Sequence, residues 1–257
     1  MSFHGIYGHE KQIGLLLTAV EQNRVPHAYL FSGMSGIGKK TVAFALAQRI
    51  NCTGAAAASD ACGRCPSCSK AAHRNHPDVV IVEPEGQFIR IKAIRELQAM
   101  MQYSPLEGKY RVLIIDEADR MNITSANALL KTLEEPAPGN LLILVTGNPA
   151  ALPKTILSRC QQVRFSPLTR NAMTAYLKNR LGLAEQDAPM IAAASGGSPS
   201  RAAEMVKENY KTLRDRTLDD FMAILDQKIL KMLCFSADFG KDREAVSQKP
   251  DIIRSLY

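Results

Sequence analysis

Apolar residues fall into two kinds of pattern along the chain. Ile13, Leu16, Leu17 and Val20 recur at helical spacing within residues 10–22, which predicts an amphipathic helix. Ala28-Tyr29-Leu30-Phe31 is a short continuous run ending in Ser32-Gly33, the form of a strand buried on both faces. Val42, Ala43, Leu46, Ala47 and Ile50 predict a second helix, and a third runs from about Ile91 to Gln102. Val79–Val82, Val112–Ile115 and Leu141–Thr146 predict three more strands. Ile123, Ala126, Leu130 and Leu133 predict a further helix, stopped by Pro136. Continuous apolar strands alternating with helices predict an α/β fold with a parallel sheet covered on both faces. After Pro167 the pattern is helical only, which places a domain boundary near that point. A second boundary is expected near 208–212, after the Gly196-Gly197-Ser198-Pro199 turn and the helix that follows it. The tail from 240 is polar and poorly periodic, and no internal repeat is visible.

At 257 residues, with 46% hydrophobic and 22% charged residues, the chain has ordinary globular composition and room for about two domains. This excludes disordered, collagen-like and coiled-coil classes. No stretch approaches the ~20 apolar residues that span a bilayer. Met1-Ser2-Phe3-His4-Gly5 lacks the basic and apolar regions of a secretory signal, so a soluble, cytoplasmic protein without a membrane partner is expected. Thirty-two Lys+Arg against 25 Asp+Glu give a net charge of +7. That excess allows a polyanionic partner and equally suits a plain enzyme.

Cysteine spacing carries sharper information. Cys62, Cys65 and Cys68 form C-x2-C-x2-C, with Cys52 nine intervening residues upstream. Disulfides are rare in the cytosol. Clustered thiolates with this spacing suit tetrahedral zinc, and Cys52 supplies the fourth ligand of a closed structural site. An iron–sulfur cluster is a rival, although the further cysteine and proline of such a run do not follow Cys68. Four unpaired loop thiols are the plain alternative. The segment around them, 52–77, includes an alanine tract at 55–58. Cys160 and Cys234 are isolated and are read as buried thiols.

Gly33-Met34-Ser35-Gly36-Ile37-Gly38-Lys39 matches G-x-x-x-x-G-K between a strand and a helix. Such a loop turns successive N–H groups inward around phosphates at a helix N-terminus, and Lys39 reaches the terminal phosphates. The next position should carry the hydroxyl that binds Mg2+. Here it is Lys40, and Thr41 lies about 100° further round the helix. A protonated amine cannot ligate Mg2+, so phosphate binding is expected without efficient hydrolysis. Asp116-Glu117, ending the third strand, matches the acidic pair that holds Mg2+ and activates water. Thr146, ending the fourth strand, is placed to orient that water.

The order of these motifs resembles the AAA+ ATPases. Asn127–Pro136, Ser158-Arg159-Cys160 and the inserted cysteine module are similar to bacterial clamp-loader subunits. Phe3–His9 lacks the opening of the tau/gamma motor subunits. Gly38-Lys39-Lys40 and Gly196–Ala202 resemble the delta-prime family of the DNA polymerase III clamp loader instead. The resemblance covers roughly residues 3–210. It implies an AAA+ P-loop domain over 1–166 with a zinc module at about 52–77, a small all-α lid over 167–209, and a partial helical collar segment over 210–257. It implies that Arg159 is an arginine finger acting in a neighbouring subunit. Nucleotide contacts fall to Gly33, Gly36, Gly38, Lys39, Lys40, Thr41, Asp116, Glu117, Thr146 and the sensor-2 residue Arg201. A surface arginine is the competing reading of Arg159, and a helix-start surface charge that of Arg201. His27 is expected to be a hydrogen-bonded structural histidine. Implied partners are the motor subunits, the delta subunit, the sliding clamp and primed DNA, touched at its phosphates by Lys92 and Arg95. The complex is a DNA-directed DNA polymerase assembly of which this chain is not the polymerase, and its own ATPase is expected to be weak or absent. Collar domains of the family exceed the stretch after position 210, so a fragment or shortened form is expected. Two further readings stay open: an active tau/gamma-type motor that tolerates Lys40, and a zinc-bearing scaffold that never binds nucleotide.

Overall fold

In the computed structural model, residues 2–54 and 60–225 are described. The alanine tract at 55–58, Cys234 and the collar segment beyond 225 lie outside the described residues. The chain divides into two compact units, the first ending at Leu168 and the second opening at Thr169.

In the first unit, the four apolar runs form strands. They are β1 (Ala28–Ser32), β2 (Val79–Val82), β3 (Arg111–Ile115) and β4 (Asn140–Thr146). A fifth strand, β5 (Gln161–Arg164), was not expected from the sequence. Only Val163 of its four side chains is buried, so it carries none of the continuous apolar signal of the others. It lies at the sheet edge, where one face and one row of backbone groups meet solvent. All neighbours pair in parallel, in the order β2-β3-β4-β1-β5.

Strand side chains alternate between two apolar layers. Tyr29, Phe31, Val112, Ile114, Leu141 and Ile143 pack toward α1 (Glu10–Glu21) and α2 (Lys39–Ile50). Leu30, Leu113, Ile115, Leu142 and Leu144 pack toward α4 (Ile91–Met101), α5 (Ile123–Glu134) and the short α6 (Lys154–Leu157). Helices on both faces satisfy the requirement that a parallel sheet be buried. The cysteine segment leads into α3 (Pro66–Ala72), started by Pro66 and capped by Cys65, whose sulfur accepts the Cys68 N–H.

Two buried carboxylates tie the cysteine segment and the start of β2 to the rest of the unit. Asp60 accepts the N–H groups of Phe3, His4 and Ala61 and pairs with His4 Nδ1 at 2.5 Å. Asp78, fully buried, accepts the N–H groups of Leu106, Glu107 and Gly108 and the Arg111 guanidinium at 3.1 Å. His27 departs from expectation: its Nε2 is buried with no hydrogen-bond partner.

The second unit is helical over its described residues. It contains α7 (Arg170–Leu181), α8 (Ala188–Ala194), α9 (Pro199–Lys207) and α10 (Tyr210–Leu225). Thr169 and Ser198 cap α7 and α9 with their hydroxyls, and Gly182 ends α7 in the left-handed conformation. Among the described residues, no helix is long and apolar enough to cross a membrane.

Candidate functional site

The loop between β1 and α2 is built by glycine. Gly33, Gly36 and Gly38 all take positive φ, at 148°, 75° and 101°. At Gly33 the backbone requirement is doubled, because a Cβ would stand 2.4 Å from the Phe165 carbonyl oxygen. His9 supports the loop from outside. It caps α1 in the left-handed region, sets Nε2 2.8 Å from the Ile37 carbonyl oxygen and meets Phe165 edge-on at 5.1 Å. A cleft of about 520 Å³ flanks the loop on the β4–β5 side, lined by Met34, Gly147, Pro149, Leu157, Gln162 and Phe165 among others.

Lys39 opens α2 and is only 5% exposed. Its ammonium donates to the carbonyls of Gly33 and Met34, both at 2.7 Å. Burial lowers its pKa, opposed by the charges of Asp116 and Asp119. Lys40 turns to the acidic side: its Nζ is 3.0 Å from Asp116 Oδ2 and also pairs with Glu83 Oε1. Burial works against its charge, but hydrogen bonds to Glu83 and Asp116 outweigh this and hold its pKa above the ordinary lysine value. The same pairing lowers the Glu83 carboxyl. Thr41 is the third residue of α2 and is partly buried.

Asp116 and Glu117 follow β3 directly. Glu117 lies in the left-handed region at φ 47° and pairs with Arg120 Nε at 2.6 Å. Thr146, fully buried, donates its hydroxyl to Asp119 Oδ1 at 2.6 Å and accepts the Asn148 N–H. Thus Lys39, Lys40 and Asp116 are brought together beside the loop. Arg159 follows α6, half-exposed, with its guanidinium 2.8 Å from Glu134 Oε1 and donating to the Thr155 carbonyl. Arg201 belongs to the second unit, in the first turn of α9. Lys92 and Arg95 are exposed on α4, Lys92 standing 3.9 Å from Glu96. Glu83, Asp119 and His9 were not singled out from the sequence. Of these, Asp119 had a usable signal, standing two residues beyond the Asp116-Glu117 pair.

The loop fits a phosphate ligand. The place of the metal does not fit Mg2+, because a fixed ammonium already lies on the Asp116 carboxylate.

The four cysteines converge. Their sulfurs lie within 4.8 Å of one another at Cys52, Cys62, Cys65 and Cys68. Zn–S bonds of about 2.3 Å in a tetrahedron put sulfurs about 3.8 Å apart, so the set fits one zinc after a small contraction. Backbone N–H groups of Cys62, Cys65 and Cys68 point to the sulfurs of Cys52, Cys62 and Cys65, which favours thiolate. Against its burial, hydrogen bonds from Thr53 and Cys68 bring the Cys65 thiol down to about 5. Burial and the neighbouring Cys65 sulfur push Cys68 up to about 12. Gly54 has no room for a side chain, since a Cβ would stand 2.5 Å from the Cys62 sulfur. Cys160, away from this cluster, is a buried thiol raised to about 12 by burial alone.

A parallel sheet in this order, with the phosphate loop after β1 and the acidic pair after β3, defines an AAA+ P-loop domain. The family model described as "DNA polymerase III, delta subunit" matches residues 8–169, and the chain belongs to that family. It is 37% identical over 194 residues to DNA polymerase III subunit delta' of Bacillus subtilis, covering 75% of this chain and 56% of that protein. It is 36% identical over 210 residues to subunit delta' of Pseudomonas aeruginosa, covering 79% and 62%. Subunit tau/gamma of Haemophilus influenzae is 36% identical over 180 residues, covering 70% and 26%. The chain therefore spans little more than half the length of its delta' relatives. Among solved structures, a DNA polymerase III gamma subunit-related protein of Thermotoga maritima aligns with a TM-score of 0.51 at 24% identity, over 80% of this chain and 62% of that one. A variant of RuvB from the same organism aligns at 0.54 and 18% identity, over 85% and 64%. Both likenesses concern the fold.

Proposed function

We propose that this chain is a non-motor subunit of a bacterial clamp loader. It acts in the cytoplasm and donates Arg159 to the nucleotide site of a neighbouring ATPase subunit. The observation that carries this reading is the Lys40–Asp116 ion pair, which puts an ammonium where a motor subunit needs Mg2+. A chain so built contributes to hydrolysis next door more readily than in its own loop. A guanidinium in a partly dry interface stabilises the charge developing on the transferred phosphoryl group, and such fingers are worth ~10³–10⁵ in rate in GTPases. Arg159 supports this by lying half-exposed, held by the surface carboxylate of Glu134. In this reading the partners are the motor subunits, the delta subunit and the sliding clamp. Lys92 and Arg95 touch phosphates of primed DNA, making that contact sequence-independent and salt-sensitive. Cys52, Cys62, Cys65 and Cys68 hold a structural zinc, and the domain plan is a P-loop domain over 1–166, a lid over 167–209 and a collar segment from 210.

A second reading, an active motor, is favoured by the similarity to tau/gamma. It requires Thr41 or water to replace the missing hydroxyl. One experiment separates them: clamp- and DNA-stimulated ATP turnover of a complex reconstituted with this chain or with Arg159→Ala, both shown to assemble by gel filtration. A loss of about a thousandfold at sites completed by this chain supports the donated finger. Full turnover with assembly intact overturns it. Turnover by the purified chain alone, lost in Lys39→Ala, establishes the motor.

A further inference from the structure

Lys40 stands at the position where a phosphate loop of this type carries its metal-binding hydroxyl. Two carboxylates from neighbouring strands hold its ammonium: Asp116, directly after β3, and Glu83, directly after β2. Asp116 is the group that the motif assigns to a hydrated divalent cation, and Glu83 meets the same ammonium. A second cation at the same place meets a fixed positive charge and finds its counter-ions already used.

The rest of the loop keeps its phosphate-binding form. Gly33, Gly36 and Gly38 hold the positive φ that lets backbone N–H groups turn inward. Lys39 commits two of its three donors to the Gly33 and Met34 carbonyls and keeps one. Lys40 likewise commits two, to Glu83 and Asp116, and keeps one. Two ammonium donors therefore stand at the first turn of α2, a helix of 12 residues whose N-terminus favours anions. This set suits a polyphosphate that arrives without its metal.

We propose that Lys40 takes the place of the divalent cation, so that the loop holds the phosphates of a nucleoside di- or triphosphate in metal-free form and Mg2+ opposes binding. The inference rests on reading residues 33–39 as a phosphate loop and is independent of the role given to Arg159. It joins nucleotide retention to the weak or absent turnover expected of this chain, since the same side chain that neutralises the phosphates excludes the metal that hydrolysis needs.

The test uses the purified full chain and N-methylanthraniloyl-ADP as probe, titrated by fluorescence anisotropy in EDTA and again in excess MgCl2. Saturable binding in EDTA that weakens severalfold in Mg2+ is the expected result. Lys40→Thr restores the hydroxyl and reverses the order, losing about tenfold in EDTA and recovering with Mg2+. Lys40→Met keeps the length without the charge; it loses binding in EDTA and gains nothing from Mg2+. Melting curves show that each variant is folded. Should neither variant fold, the two titrations of the unaltered chain decide alone. Tighter binding in Mg2+ than in EDTA overturns the proposal, as does no binding in either. Neither result bears on Arg159, whose test is turnover of the assembled complex.

Discussion

The Thr146 hydroxyl and the Asp119 carboxylate are joined at 2.6 Å, and the same carboxylate oxygen accepts the Gly147 N–H at 3.1 Å. This links the end of β4 to the turn that follows β3. The position that would orient a water in a motor subunit is thus engaged with a neighbouring acid. Asp119→Ala leaves a fully buried hydroxyl without its acceptor and is expected to cost about 1–3 kcal/mol. Asp119→Asn, which keeps an acceptor oxygen, should cost less. Urea unfolding of the two variants measures the difference.

Gly33→Ala tests the loop itself. The substitution meets both a φ of 148° and the Phe165 carbonyl oxygen, 2.4 Å from the new Cβ. Strain of the backbone alone is worth about 1–3 kcal/mol, and the clash adds to it. Thermal unfolding should show a clear drop, whereas Gly14→Ala, with open space around its Cβ, should show none from steric contact.

Metal content tests the cysteine cluster. One zinc per chain is expected, lost in Cys68→Ser and retained in Cys160→Ser. A strong chelator should lower the melting temperature by several degrees, since metal-binding energy is folding energy. Iron, or no metal in freshly purified chain, contradicts the assignment.

Asp78 predicts a pH dependence. Burial opposes its charge, but three backbone N–H groups and the Arg111 guanidinium hold its carboxyl below the ordinary 3.8. A lowered folded-state pKa gives stability that is present above the unfolded value and lost as pH falls through the folded one. Asp78→Asn breaks a buried pair and should cost about 3–5 kcal/mol at neutral pH. The gap between variant and unaltered chain should narrow as pH falls below 3.8. Denaturant titrations from pH 7 to pH 3 would show a constant gap if Asp78 carried no such stabilisation.

Hydrophobic continuity made β1 to β4 legible because each sends apolar side chains into both layers, fully buried in β1, β3 and β4 and partly buried in β2, and runs such as Leu141–Val145 admit few other readings. The fifth strand escaped for the opposite reason: Gln161-Gln162-Val163-Arg164 buries one side chain and borrows its conformation from pairing with β1. Cysteine spacing was enough to mark Cys52 as companion to Cys62, Cys65 and Cys68, because chelation needs short separations within a loop. Lys40 was legible as a conflict with Mg2+, but its partner Glu83 was not. One carboxylate among 25 acidic residues acquires meaning only when β2 and β3 lie side by side. His9 is similar: its contact with Ile37 exists only once α1 crosses the loop.

The strand order also governs how the chain emerges during synthesis. β1 is made early, yet both its partners, β4 and β5, come late. At cellular elongation rates Arg164 leaves the peptidyl-transferase centre roughly ten seconds after Ser32. For most of that interval, until β4 is made, Tyr29, Leu30 and Phe31 have no strand to pair with on either side. The sheet therefore closes around β1 only as the first unit nears completion, and until then this segment is a natural client for chaperones that hold extended apolar sequence at the ribosome.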